Sequence, residues 1–256
     1  MLLTIDIGNS NITFGLYEGE TLAAHWRIRT IHEKMPDEYG VLMNQLFRHR
    51  GFRPEQVTGA VMASVVPPLT PVLVEACRTY AGQAPLVIGV GTKTGVRIRY
   101  DDPRQVGADR IVDAAAVKAL YPLPACVVDL GTGTTFDAVS AEGEYLGGAI
   151  APGLGIAAQA LFERTAKLPR VELTRPPSAI GQNTPHAMQS GLLYGYVGLV
   201  EGLIDRFKAE LGPETHVVAT GGLAHLIADE TDVIDTVDPW LTLNGLRIIH
   251  ELNREW

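Results

Sequence analysis

Residues 6–11 read "DIGNSN", wedged between the apolar runs "LLTI" (2–5) and "ITFGLY" (12–17). An apolar run that meets Asp, Gly, Asn and Ser and then turns apolar again reads as a strand, a tight turn and a second strand. The pattern returns at residues 129–135, "DLGTGTT", between "ACVV" and "FDAV". Each copy predicts the start of a three-stranded antiparallel meander: residues 2–7, 11–17 and 22–30 in the first, and the run "ACVVDLGTGTTFDAVSAEGEYLGGAIAPG" in the second. Strands alternating with helices follow each meander. After the first come a helix near 37–50, a strand in "GAVMASVVP", a helix over 69–81 with Pro71 in its first turn, a strand in "APLVIGV" and a helix near 110–120. After the second come helices near 156–166 and 186–211, a strand in "HVVATGG", a helix in "LAHLIADE", a short strand near 231–237 and a last helix over 241–253. The chain therefore reads as an α/β protein of two similar halves, residues 1–114 and 115–256, sharing a cleft.

Bulk composition narrows the function. Of 256 residues, 46% are apolar, enough for substantial cores, and 29 acidic against 21 basic residues leave a net charge of -8. A nucleic-acid surface needs clustered Lys and Arg, and no such run exists. Cys77 and Cys126 lie far apart in apolar surroundings and read as reduced core residues, which favours the cytoplasm. "MLLTI" before the first charge is too short for a signal peptide, and no stretch approaches the roughly 20 apolar residues of a membrane helix. Seven histidines show no paired ligand spacing.

Four places hold candidate chemistry. In both Asp-x-Gly turns, backbone N–H groups can surround phosphate oxygens, hydroxyl side chains add donors, and the Asp can hold a cation directly or through water. An ordinary hairpin explains either copy alone, but two copies at equivalent places in a repeat are harder to explain that way. Gly221 and Gly222, between "VVAT" and a helix, leave room for a nucleotide near a helix N-terminus, or form a plain strand-to-helix turn. In "YDDPRQVGADRIVDA", Asp109 is either the N-cap of the next helix or a general base, and Arg110 either a solvated side chain or an anion contact. Two further motifs fail their tests: "GVGTKTG" (89–95) lacks the P-loop order, and "GLGIAA" (153–158) ends a meander instead of opening a βαβ unit.

The ordered set "DIGNSN", "GADR", "DLGTGTT", "GGAIAPG", "GQNTPHAMQSG", "TGG" and "LTLNGL" closely resembles the type III pantothenate kinases, from first strand to last helix. The resemblance implies a duplicated actin-like, ribonuclease H-like fold of the acetate and sugar kinase superfamily, with two similar domains around an ATP cleft. It implies ATP-dependent phosphorylation of the pantothenate 4'-hydroxyl, the first step toward coenzyme A, by a homodimer. By motif, Asp6, Ile7, Gly8, Asn9, Ser10, Asn11, Ile12 and Thr13 would form the first phosphate loop, with Asp6 near magnesium. Asp109 would be the catalytic base, and Tyr100, Gly107, Ala108, Asp109 and Arg110 would line the pantothenate pocket. Asp129 would bind a monovalent cation, potassium or ammonium; Thr132 would contact ATP, and Thr184 would reach the substrate across the dimer. Ser10, Gln182 and Gly133 depart from the residues most common in the family. Two rivals remain open: a sugar kinase or polyphosphate phosphatase of the same superfamily, and a regulator that binds ATP without turnover.

Overall fold

The computed structural model describes residues 1–254. The first unit is built on a five-stranded sheet of β1 (Leu2–Ile7), β2 (Asn11–Glu18), β3 (Thr21–Arg29), β4 (Gly59–Ser64) and β5 (Leu86–Val87), ordered β3-β2-β1-β4-β5. β1 is hydrogen-bonded along both edges, antiparallel to β2 and parallel to β4. One face carries Leu3, Ile5, Ile7, Ile12 and Phe14. It packs on α1 (Pro36–His49) and α2 (Thr70–Ala81), which bring Met43, Phe47, Leu73 and Cys77 to the same core. In α1 the buried residues Tyr39, Met43 and Phe47 recur every four positions, so one stripe faces the sheet. A strand covered on both faces cannot alternate apolar and polar, and β1 accordingly reads as a nearly continuous apolar run.

Among the described residues the second unit repeats this plan. Its elements are β7 (Ala125–Leu130), β8 (Gly133–Val139), β9 (Glu144–Pro152), α4 (Leu154–Glu163), α5 (Thr184–Leu211), β10 (His216–Thr220), α6 (Ala224–Ala228) and β11 (Thr236–Val237). They follow β6 (Arg97–Ile98) and α3 (Ala108–Leu120) in the chain. The sheet order is β11-β10-β7-β8-β9-β6, so β9-β8-β7-β10-β11 copies β3-β2-β1-β4-β5, with β6 added beside β9. β7, like β1, is antiparallel to one neighbour and parallel to the other. Cys126, Val128 and Leu130 meet Leu193, Val197, Val200 and Ile204 of α5 in the core of this unit. Both cysteines are free and buried, and burial pushes the Cys77 thiol up to about 12.

The division of the chain differs from the expected cut between residues 114 and 115. The first unit comprises Met1–Arg97, Asp101–Ala119 and Leu241–Trp256, and the second comprises Ile98–Tyr100 and Leu120–Trp240. A cut at 114 would split α3, which runs unbroken to Leu120 with Val112, Ala114, Ala115, Ala116 and Val117 all buried. The last helix, α7 (Leu241–Leu252), returns to the first unit: Leu243 lies near Gly15 of β2, and Gly245 packs on Val112 of α3. The "APLVIGV" strand pairs only at Leu86 and Val87, and α6 is shorter than its sequence suggests.

At Gly245 an added Cβ would stand 2.7 Å from Val112 Cγ1 and closer still to the Val112 carbonyl oxygen. Gly245→Ala should therefore force α7 off α3 and destabilise the protein by about 2 kcal/mol, as overpacking does. Thermal unfolding should register this as a fall in Tm on the order of 5 °C, whereas an unchanged or higher Tm would mean that the two helices are not in contact.

Candidate active site

In the first unit the candidate residues gather at the carboxyl ends of β1 and β4, the edge where open α/β sheets bind ligands. Asp6 is the penultimate residue of β1, flanked by Thr13 of β2 and Ala63 of β4. The turn beyond it is held from behind: Gly8 N donates to Asn11 O (3.0 Å), Thr30 Oγ1 to Gly8 O (2.7 Å) and Thr30 N to Ser10 O (3.0 Å). Asn9, Ser10 and Asn11 are exposed at its tip. Immediately after β4, Val65 N donates to Ile7 O (3.0 Å). A side chain on Gly107 would meet Val65 Cγ1 at 3.7 Å and run into the Asp109 carboxylate. The start of α3 thus reaches the same sheet edge as the Asp6 turn.

Asp109 is not the N-cap of α3, because the helix begins at Ala108 and Asp109 lies inside its first turn. Its Oδ1 accepts from Arg110 N (2.8 Å). Burial raises its pKa above the ordinary carboxylate value, against the opposing pull of the Arg110 N–H and guanidinium. Arg110 is not the solvated side chain considered above, since only 8% of it is exposed. A helix N-terminus stabilises a carboxylate, and here desolvation outweighs that help.

In the second unit Asp129 occupies the place on β7 that Asp6 has on β1, flanked by Thr135 of β8 and Thr220 of β10. Thr132 is exposed at the tip of the turn. Gly221 has φ +93°, and a Cβ there would lie 2.6 Å from the Leu130 carbonyl carbon and collide with Asp129 Oδ1. Only glycine supplies both the left-handed backbone and the clearance, so Gly221 is required by its own neighbour Asp129 before any ligand is considered. Gly222 beside it is exposed. Behind the turn, the Tyr196 hydroxyl of α5 bonds to Thr134 Oγ1 and to Pro152 O, the latter at 2.7 Å, tying the ends of β8 and β9 together. Thr184 is exposed at the first position of α5, where Asn183 caps the helix by accepting from His186 N (2.9 Å). Tyr100 belongs to the second unit, whereas Gly107, Ala108, Asp109 and Arg110 belong to the first.

Sequence reading did not single out Tyr196, Asp137 or Tyr145, all polar groups placed behind the candidate residues of the second unit. The available signal was Asp137 itself, a carboxylate in the otherwise apolar run "FDAV". Among the described residues, no helix is long and apolar enough to cross a membrane.

A duplicated sheet with an Asp near the end of each central strand gives the class by fold, the actin-like one. The inorganic polyphosphate/ATP-glucomannokinase of Arthrobacter sp. strain KM shares the fold, with a TM-score of 0.52 over 99% of each chain at 14% identity. A model of the type III pantothenate kinase family matches residues 2–206. The type III pantothenate kinase of Moorella thermoacetica is 57% identical over 99% of this chain and 100% of its own length, and that of Roseiflexus sp. (strain RS-1) is 55% identical over 99% and 100%. The chain belongs to the type III pantothenate kinase family.

The raised pKa of Asp109 has a signed consequence for stability. The folded state holds the proton more tightly than the unfolded chain, so the wild type loses stability as pH rises from about 4 through the folded-state value. Asp109→Asn carries no such cost, and its urea midpoint relative to wild type should climb between pH 4 and pH 7. A variant that instead loses ground over this range would make the carboxylate a stabilising helix charge.

Proposed function

We propose that this chain carries out the reaction of its family, transferring the γ-phosphoryl group of ATP to the 4'-hydroxyl of pantothenate to give 4'-phosphopantothenate and ADP, the first step toward coenzyme A. The observation that carries the reading is the carboxyl of Asp109, desolvated in the first turn of α3 and raised in pKa. In this reading Asp109 takes the hydroxyl proton as that oxygen bonds to the γ-phosphorus and the bond from the γ-phosphorus to the bridging oxygen breaks, leaving ADP. A carboxylate of ordinary pKa would be a weaker base, and the desolvation of Asp109 is what fits it to the task. The guanidinium of Arg110 offers bidentate recognition to an anionic group, the pantothenate carboxylate or the transferring phosphoryl. Tyr100, Gly107, Ala108 and, from a partner subunit in a homodimer, Thr184 complete the proposed pantothenate contacts.

The turns after Asp6 and Asp129 are assigned to the polyphosphate, with residues 6–13, Thr132, Gly221 and Gly222 as the nucleotide contacts. Two carboxylates beside ATP would repel it unless cations intervened. Among the described residues, no three acidic, His or Cys side chains gather into a metal cage. Single carboxylates are the donor set that suits an ion which keeps several waters and shares the phosphates. Asp6 would hold magnesium, directly or through water, and Asp129 potassium or ammonium; when bound, such ions neutralise the charge that develops on the phosphoryl oxygens. The buried, reduced cysteines accord with a cytoplasmic enzyme.

Purified protein with magnesium and ATP should release ADP only when pantothenate is added, and faster in potassium than in sodium. Asp109→Asn should bind ATP nearly as tightly as wild type while kcat falls by roughly 100-fold or more, the scale of a lost general base. Release without any acceptor would point to a phosphatase, equal rates in both salts would remove the monovalent cation from Asp129, and equal losses of binding and turnover would return Asp109 to a structural role.

A further inference from the structure

A line of polar and aromatic groups runs behind Tyr100, with the wholly buried Tyr145 and Asp137 at its centre. The segment carrying Tyr100 is strapped to β9: Arg99 N donates to Tyr145 O (2.7 Å), and Arg99 Nε meets Glu144 Oε2 at 2.9 Å. Opposite this strap β9 bulges, since Ala138 pairs with Gly147 and Val139 with Tyr145, leaving Leu146 unmatched. Tyr145 and Gly147, two positions apart on β9, both lie against Tyr100. The rings of Tyr100 and Tyr145 lie 6.3 Å apart, centroid to centroid, inclined at 46°. Gly147 has φ +117°, and a Cβ there would press on the Tyr100 ring at 3.2 Å. Tyr145 is wholly buried, and its hydroxyl donates to Asp137 Oδ1 (2.9 Å). Asp137 is also wholly buried, and its Oδ2 accepts from Thr135 Oγ1 (2.9 Å).

A carboxylate with no exposure is costly unless its oxygens are hydrogen-bonded, and a satisfied buried network fixes the side chains that belong to it. Here the network grips the ring on which Tyr100 leans, while Gly147 clears space on the same face. We propose that Asp137 and Tyr145 are positioning residues for substrate recognition: they hold the half-exposed Tyr100 ring in the orientation that contacts pantothenate. The inference rests on the reading of Tyr100 as a pantothenate contact made under the proposed function.

The test is steady-state kinetics with pantothenate and ATP varied separately, on wild type, Tyr100→Ala, Tyr145→Phe and the double variant. Tyr145→Phe keeps the ring and removes the hydroxyl held by Asp137. It should raise the pantothenate KM roughly tenfold, the scale of a mispositioned contact, with the ATP KM and kcat within about twofold. On the Tyr100→Ala background the same change should add nothing, because residues acting through one another are not additive. Asp137→Asn retains an oxygen acceptor for the Tyr145 hydroxyl and should stay within about threefold of wild type. Gly147→Ala, pressing on Tyr100 from the opposite strand, should raise the pantothenate KM alone, which keeps the idea testable if Tyr145→Phe proves insoluble. The inference is overturned if Tyr100→Ala raises the pantothenate KM while Tyr145→Phe and Gly147→Ala do not, if both substrates are affected equally, or if the effects simply add. An unchanged pantothenate KM in Tyr100→Ala removes the role of Tyr100 and this inference with it, whereas wild-type protein inert toward pantothenate removes the proposed function itself.

Discussion

In each unit one strand is enclosed on all sides. β1 and β7 are hydrogen-bonded along both edges, antiparallel on one side and parallel on the other, so their polar backbone is fully used within the sheet. Apolar residues, with one buried threonine, Thr4, in β1, fill them until the penultimate position, where Asp6 and Asp129 stand at the sheet's carboxyl edge. An ionisable side chain deeper in such a strand would be desolvated without compensation, and one further along would lie on the turn and no longer on the strand. The penultimate position holds the carboxylate on a rigid element while leaving it within reach of solvent and ions.

The other features of each site are built around that placement. In the first unit Thr30 anchors the turn after Asp6 by its carbonyls, and α3 brings the desolvated Asp109 to the same edge. In the second, Gly221 has a left-handed backbone and lies so close to Asp129 and Leu130 that no side chain fits there. Tyr196 ties β8 to β9 immediately behind the second turn. Duplication thus produced two similar scaffolds whose differences lie in the residues that close on the carboxylate. In the first unit the addition is a desolvated carboxyl with a raised pKa; in the second it is a pair of glycines and a hydroxyl clamp.

How much could be read in advance followed from the range of the interactions. The two meanders, the parallel strands after them and the helices α1, α2, α5 and α7 were legible because apolar periodicity and turn residues act over a few positions. Short elements were not: β6 pairs over Arg97 and Ile98 alone, and β5 shrank to two residues of an apolar run of seven, since edge pairing depends on what the strand meets. Asp109 was legible as a candidate but not as cap or first-turn residue, because Asp is favoured at both places and only the structure shows that α3 begins at Ala108. Gly221 looked like space for a ligand; its first duty proved to be space for Asp129.

The sequence by itself determined the repeat, the two Asp-x-Gly turns, the class of fold and, through an ordered set of motifs, the family. These rest on local patterns and on their order along the chain, both of which a linear reading preserves. Tertiary structure alone decided that α7 completes the first unit, that Tyr100 belongs to the second unit and Asp109 to the first, and that Asp137 and Tyr145 stand behind Tyr100. Those facts depend on desolvation and on contacts between residues from a few to more than two hundred positions apart, and no spacing in the sequence encodes how much water a carboxyl keeps once the chain has closed around it.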